Sequence, residues 1–167
     1  ALADVTQMHG GTYFAAAVGE VNVVAKMKAE HAIIGGEGNG GVIFPESHYG
    51  RDALVGIGLF LTHLARKDKK VSALRAEYPA YIMSKNKIEL SANLNVDLIL
   101  ATVAEQYKSE RVNTIDGVKI DFADRWVHLR KSNTEPIIRI YSEAPTENEA
   151  NALAQQIIQV IQGIAGI

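Results

Sequence analysis

The sequence predicts a partial α/β domain followed by an α+β domain in which an antiparallel sheet packs with two helices. Three observations carry this. The first 78 residues alternate helix-period stretches with short apolar bursts and hold most of the 14 glycines. Pro79 marks a change of texture, because after it the apolar residues alternate along strand-length runs and glycine almost disappears. The chain then closes on a long amphipathic stretch that opens with a capping signature, Thr146 with Glu149 three residues on. The expected domains are therefore residues 1–78 and 79–167.

Along the first domain, Thr12 to Val18 is β-prone and reads as a strand, and Glu20 to Glu30 carries Val23, Val24 and Met27 at helical spacing. Ala32-Ile33-Ile34, the glycine-rich run Gly35 to Gly41, and Val42-Ile43-Phe44 read as strand, loop and strand. Asp52 caps a helix through Leu54, Val55, Leu59 and Leu61 that finishes on the basic run Arg66 to Lys70, and Ser72 caps a further turn or two. In the second domain Tyr81 to Ile88 reads as a strand and Asn95 to Tyr107 as a helix with Val96, Ile99, Leu100 and Val103 on one side. Val112 to Ile115 is a short strand, and Asp116-Gly117 is a two-residue hairpin turn. Val118 to Phe122, Trp126 to Leu129 and Ile137 to Ser142 complete the sheet, with Trp126 and His128 placed in the core and at its edge. The last helix presents Ala150, Leu153, Ile157, Val160 and Ile161.

Composition narrows the function. Lys and Arg number 17 against 19 Asp and Glu, a net charge of −2 without a basic cluster large enough for nucleic acid. No apolar run approaches the ~18 residues of a membrane span, so no membrane partner is expected. There are no cysteines, which removes disulfides, thiolate metal sites and cysteine nucleophiles and is in keeping with a cytoplasmic setting. The five histidines lack metal-ligand spacing, so no metal site is expected in this chain. The chain opens with Ala1-Leu2-Ala3-Asp4 in what reads as the middle of a helix, and it is expected to be a piece of a longer polypeptide.

Two segments carry chemistry. Gly36, Gly38 and Gly41 match the G-x-G-x-x-G spacing of dinucleotide sites, but the following Val42-Ile43-Phe44-Pro45 is no helix and no acid stands about 20 residues on. The loop instead offers the Glu37 carboxylate and the Asn39 carboxamide among glycines that let backbone crowd a ligand, a set suited to vicinal sugar hydroxyls; the alternative is a tight turn with no ligand. Arg130-Lys131-Ser132-Asn133-Thr134 packs a guanidinium, two hydroxyls, an amide and backbone N–H groups into a break between strands. That combination suits an anion, since arginine grips phosphate oxygens through paired hydrogen bonds and a bend gathers N–H dipoles; the alternative is a polar hairpin connection. Arg139 in the next strand either helps or pairs with Glu143 or Glu135, structural pairing being the preferred reading. No catalytic triad or close carboxylate pair can be assembled.

Gly36-Glu37-Gly38-Asn39-Gly40-Gly41 and Arg130-Lys131-Ser132-Asn133-Thr134-Glu135-Pro136 resemble two signature loops of the α-D-phosphohexomutases, the phosphoglucomutases, phosphomannomutases and phosphoglucosamine mutases. The resemblance spans the chain, residues 1–78 being similar to the later part of the third domain and 79–167 to the fourth. It implies that Glu37 contacts sugar hydroxyls, with Asn39 beside it as the loop's own candidate, and that Arg130, Ser132, Asn133 and Thr134 hold the phosphate that is not being transferred. The family reaction that it implies moves a phosphoryl group between C1 and C6 of a hexose through a hexose 1,6-bisphosphate, with Mg2+ bound elsewhere in the parent. Asn39 stands where the family usually has serine, and Gly41 where some members have histidine. The phosphoserine loop and the magnesium loop of the family do not occur here, so this chain alone is expected to hold no catalytic residue and to be inactive without the N-terminal domains. The rival reading is a stand-alone, non-catalytic phosphosugar-binding module.

Overall fold

A computed structural model describes residues 1–91, 94–132 and 134–166. The chain divides into two compact units, Ala1–Ala80 and Tyr81–Ile167.

The first unit runs α1 (Leu2–Met8), α2 (Glu20–Glu30), β1 (Gly35–Gly36), β2 (Val42–Phe44), β3 (His48–Arg51), α3 (Ala53–Lys67) and α4 (Val71–Arg75). Its strands form an antiparallel meander in the order β1-β2-β3. Asp52 caps α3 as expected, its Oδ1 accepting from the Val55 N–H at 3.0 Å, and the helix ends on Arg66 and Lys67, which complement its dipole. Buried apolar residues in this unit are few: Met27, Ile43 and Leu74. The hydrophobic side of α3 is uncovered, with Leu54 79% exposed and Ile57, Phe60 and Leu61 also open to solvent.

Several local expectations change here. Residues 12–18 form no strand, because among the described residues no neighbouring strand pairs with them and an extended segment without a ladder partner is not a strand. The strand expected at Ala32 to Ile34 sits instead at Gly35–Gly36, where Gly35 pairs with Ile43 and Gly36 with Val42; Ile33 and Ile34 stay exposed outside the ladder. His48 is a residue of β3, which sequence periodicity did not mark. Ser72 lies inside α4, whose cap position is Lys70.

The second unit runs β4 (Ile82–Glu89), α5 (Val96–Gln106), β5 (Arg111–Asn113), β6 (Val118–Asp121), β7 (Trp126–Lys131), β8 (Ile137–Ala144) and α6 (Glu147–Ala165). The sheet is antiparallel throughout, in the order β4-β8-β7-β6-β5. Alternation sorts its two faces. Val118, Ile120, Val127, Leu129, Ile138 and Ile140 are buried with Ile99 and Val103 of α5 and Leu153, Ile157 and Ile161 of α6, so the core lies between sheet and helices. Ser142 shares that face and is satisfied by donating from Oγ to the Ala150 carbonyl at 2.7 Å.

The capping box of α6 forms: the Glu149 N–H donates to Thr146 Oγ1, and Glu149 Oε2 accepts from the Thr146 N–H. Thr146→Ala is expected to cost about 1 kcal/mol of unfolding free energy, read from urea denaturation of this chain, because it orphans a backbone donor at the start of the helix.

Three corrections bear on the site. Trp126 and His128 are half-buried on the sheet face away from α5 and α6, since Val127 and Leu129 take the core side. The β5–β6 connection is longer than a two-residue turn: the first pair is Asn113 with Lys119, and Asn113 Oδ1 accepts from the Ile115 N–H, a local bond that competes with the ladder. Finally, β7 runs on to Lys131, so Arg130 is a strand residue and not part of the break.

Candidate functional site

In the first unit the glycine-rich run is the turn of the β1–β2 hairpin. The Glu37 N–H donates to the Gly41 carbonyl and the Gly40 N–H to the Glu37 carbonyl, both at 3.0 Å. Asn39 Oδ1 accepts from the Gly41 N–H at 3.0 Å, so the carboxamide oxygen holds the turn and its NH2 is the part that can donate outward. Glu37 is the less exposed partner of an ion pair in which its Oε2 stands 3.6 Å from Arg51 Nη1; its side chain is 14% exposed. Arg51 is also gripped by Glu20 at the start of α2, with Nε to Oε2 at 2.9 Å and backbone N–H to Oε1 at 3.2 Å. Sequence reasoning missed Arg51, whose partners lie 31 and 14 positions away. Close by, Asp52 is held below the usual carboxylate range by the Val55 N–H, with the His48 ring at 3.0 Å adding to the effect.

In the second unit the site is built on the register of β4, β8 and β7. Lys87 stands opposite Arg139, and Arg139 opposite Arg130, so three cations occupy one row on the sheet face away from the core. Like charges placed directly opposite destabilise a sheet. Asp116 offsets one of them: its carboxylate pairs with Arg130 Nε at 3.1 Å. Glu89 pairs with Lys87 at 2.9 Å. Arg139 is exposed, and neither of the expected acids pairs with it among the described residues; Glu143 accepts instead from Trp126 Nε1 at 3.0 Å. Beside the row lies a depression of about 320 Å³ lined by Lys85, Lys87, Glu135, Arg139 and Tyr141.

The Ser132 N–H donates to the Ile137 carbonyl at 3.0 Å, closing the β7–β8 hairpin. Ser132 Oγ lies 3.5 Å from Thr134 Oγ1 and 3.4 Å from the Thr134 N–H, so the two hydroxyls and one backbone donor are gathered together. Ser132 is 8% exposed, Thr134 is exposed, and Asn133 lies outside the described residues. Lys131 does not join them: it points to the helix side and pairs with Asp97 of α5 at 2.7 Å.

Beside the row, two residues before Arg130 on the same face of β7, His128 Nε2–H donates to the Asp116 carbonyl at 2.6 Å. Burial pushes the His128 pKa below the ordinary 6.5; its bond to Asp116 partly opposes this, and the Arg130 and Lys119 charges reinforce it. The ring is thus neutral at pH 7. With the folded value depressed, the unfolded chain binds the extra proton first as the solution is acidified, so the stability from this group is complete above about pH 6.5 and is lost as pH falls through the folded value. His128→Gln is expected to flatten the fall in melting temperature below pH 6.5; a slope identical to the parent's would refute this.

Among the described residues no group of three or more His, Asp or Glu side chains is arranged to hold a metal ion. No helix among them is long and apolar enough to cross a membrane.

Residues 1–81 match the family model for the alpha/beta/alpha domain III of phosphoglucomutase/phosphomannomutase, and residues 64–160 match the C-terminal domain of the same proteins. The chain belongs to the phosphoglucomutase/phosphomannomutase family. It is 39% identical over 148 residues to a phosphoglucosamine/phosphogalactosamine mutase of Sulfurisphaera tokodaii, covering 87% of this chain and 32% of that protein. It is 37% identical over 163 residues to a phosphoglucomutase/phosphomannomutase of Thermococcus kodakarensis, covering 96% of this chain and 35% of that one. The chain thus spans about a third of the length of these relatives. A crystal structure of a family protein from Burkholderia thailandensis superposes with a TM-score of 0.76 at 24% identity, covering 97% of this chain and 35% of that one, a likeness of fold.

Proposed function

We propose that this chain supplies sugar recognition and phosphate anchoring to a longer phosphohexomutase, as its third and fourth domains. The reaction interconverts hexose 1-phosphate and hexose 6-phosphate by phosphoryl transfer through a hexose 1,6-bisphosphate. The nucleophile and the Mg2+ that the family resemblance implies belong to the N-terminal domains. The observation that carries the reading is the register that sets Arg130 opposite Arg139 across β7 and β8, two residues before the first of the paired hydroxyls Ser132 and Thr134.

Glu37 accepts hydrogen bonds from sugar hydroxyls and the Asn39 NH2 donates to them. Arg130, Ser132, Asn133 and Thr134 hold the phosphate that is not being transferred, with Arg139 as a second cation. A dianion buried against guanidiniums and N–H groups is held by charge-assisted hydrogen bonds, which offset its desolvation. The anchor binds one phosphate while the other end of the hexose is presented for in-line transfer, a positioning role. Because the anchor recognises a phosphate and not a sugar carbon, it accepts either end of the bisphosphate. The relatives support a substrate among the phosphates of glucosamine, galactosamine, glucose and mannose.

Calorimetric titration of this chain with glucose 6-phosphate and glucosamine 6-phosphate tests the anchor. Binding in the millimolar range or tighter is expected, abolished by a large excess of inorganic phosphate; absence of heat with every hexose phosphate tried would overturn it. Turnover by this chain alone would overturn the division of labour, and binding with no mutase activity in the full-length protein would favour a stand-alone binding module.

A further inference from the structure

We infer that Arg51 is a positioning residue for sugar recognition, holding the Glu37 carboxylate in the orientation that meets the substrate hydroxyls. The inference rests on the reading of Glu37 as a sugar contact. Three features of the first unit carry it. Glu20, the first residue of α2, takes both the Arg51 backbone N–H and Nε, so one edge of the guanidinium is fixed before any ligand arrives. The opposite end, Nη1, then faces Glu37 Oε2 at 3.6 Å, within ion-pair range and longer than a hydrogen bond. The carboxylate is thus oriented by charge, and its lone pairs are not taken up by a short bond to Arg51.

The third feature is Gly41. A Cβ built on Gly41 would lie 2.7 Å from Arg51 Cδ and 3.2 Å from its Cγ, so the arginine stem lies across the bare face of the hairpin turn. The stem has both its ends engaged, by Glu20 and by Glu37, and has little freedom to move aside. Gly41 and Arg51 therefore go together: a side chain at position 41 would displace the arginine from Glu37. The line Glu20, Arg51, Glu37 joins the start of α2, the end of β3 and the hairpin turn. It fixes a loop carboxylate to regular elements, which is how a binding group on a turn is kept in one geometry.

Steady-state kinetics of the full-length mutase decide the matter, using whichever of glucose 1-phosphate, mannose 1-phosphate or glucosamine 1-phosphate it turns over. The variants are Arg51→Met, Arg51→Lys, Glu37→Gln and the double variant Arg51→Met/Glu37→Gln. Removing uniform substrate binding raises KM without lowering kcat, so Arg51→Met is expected to raise KM ~10-fold with kcat within ~2-fold of the parent. Arg51→Lys, which keeps a cation within reach of Glu37, is expected to recover part of that loss. Two residues that act through one contact are non-additive, so the double variant should be no worse than Glu37→Gln alone. If Glu37→Gln raises KM and the Arg51→Met effect multiplies with it, Arg51 does not act through Glu37 and this inference fails while the sugar site stands. If Glu37→Gln leaves KM unchanged, the sugar site falls and the inference with it.

Discussion

Arg130→Ala in the full-length protein is expected to weaken binding of a hexose monophosphate by about 2 kcal/mol or more, roughly thirtyfold, the scale of losing a charge-assisted contact to a desolvated anion. The loss has two sources. The phosphate forfeits a guanidinium, and the Asp116 carboxylate, which faces Arg130 Nε at 3.1 Å, loses that cation beside the site. Asp116→Asn separates them: it removes the acid while keeping a hydrogen-bond acceptor for Arg130, and affinity should hold or improve. Isothermal titration of the two variants provides the check. An Arg130→Ala protein that binds as the parent does would take the guanidinium out of the anchor altogether.

The second large effect is on folding. Gly117 has φ +73°, and a Cβ there would sit 2.1 Å from the Leu129 carbonyl oxygen, a backbone atom that cannot swing aside. Gly117→Ala is therefore expected to cost about 2–4 kcal/mol in unfolding free energy measured by urea denaturation, backbone strain adding to a steric clash. Asparagine tolerates positive φ better than alanine but brings the same Cβ. Gly117→Asn should consequently remain destabilised by more than half as much, and full recovery would show that the clash with Leu129 is absent. Asp116 is the preceding residue, so either variant also moves the acid that partners Arg130.

The sequence was most legible where one local rule decides an element. Thr146 with Glu149, Asp52 and Asn95 each mark a helix start through their own side chains, and all three helices begin there. The alternation of β7 and β8 likewise separates Val127, Leu129, Ile138 and Ile140 from the opposite face. Partnerships between distant residues were not legible. Residues 12–18 have strand composition and no strand beside them among the described residues, and composition cannot supply a neighbour. Trp126 and His128 look like core residues until the register shows Val127 and Leu129 facing the helices.

The two candidate loops divide in the same way. Residue chemistry marked Glu37, Asn39, Arg130, Ser132 and Thr134. What holds them is non-local: Arg51 reaches Glu37 from another strand, Asp116 meets Arg130 from the β5–β6 connection, and Arg139 stands beside Arg130 only because β7 and β8 pair in that register. Arg139 illustrates the limit well, since the acids near it in sequence suggested ordinary pairing and Glu143 is taken by Trp126.

In the row Lys87, Arg139, Arg130 the two outer cations are ion-paired, with Glu89 and Asp116, and among the described residues the middle one, Arg139, has no ion pair. Such a trough sorts anions by valence: a doubly charged headgroup gains about twice the Coulomb attraction of a singly charged one at the same distance, whatever is attached to it. Acidification that converts a phosphate ester from its dianion to its monoanion should loosen its grip even if every protein side chain keeps its charge, so part of the pH response of this site would belong to the guest and not to the host.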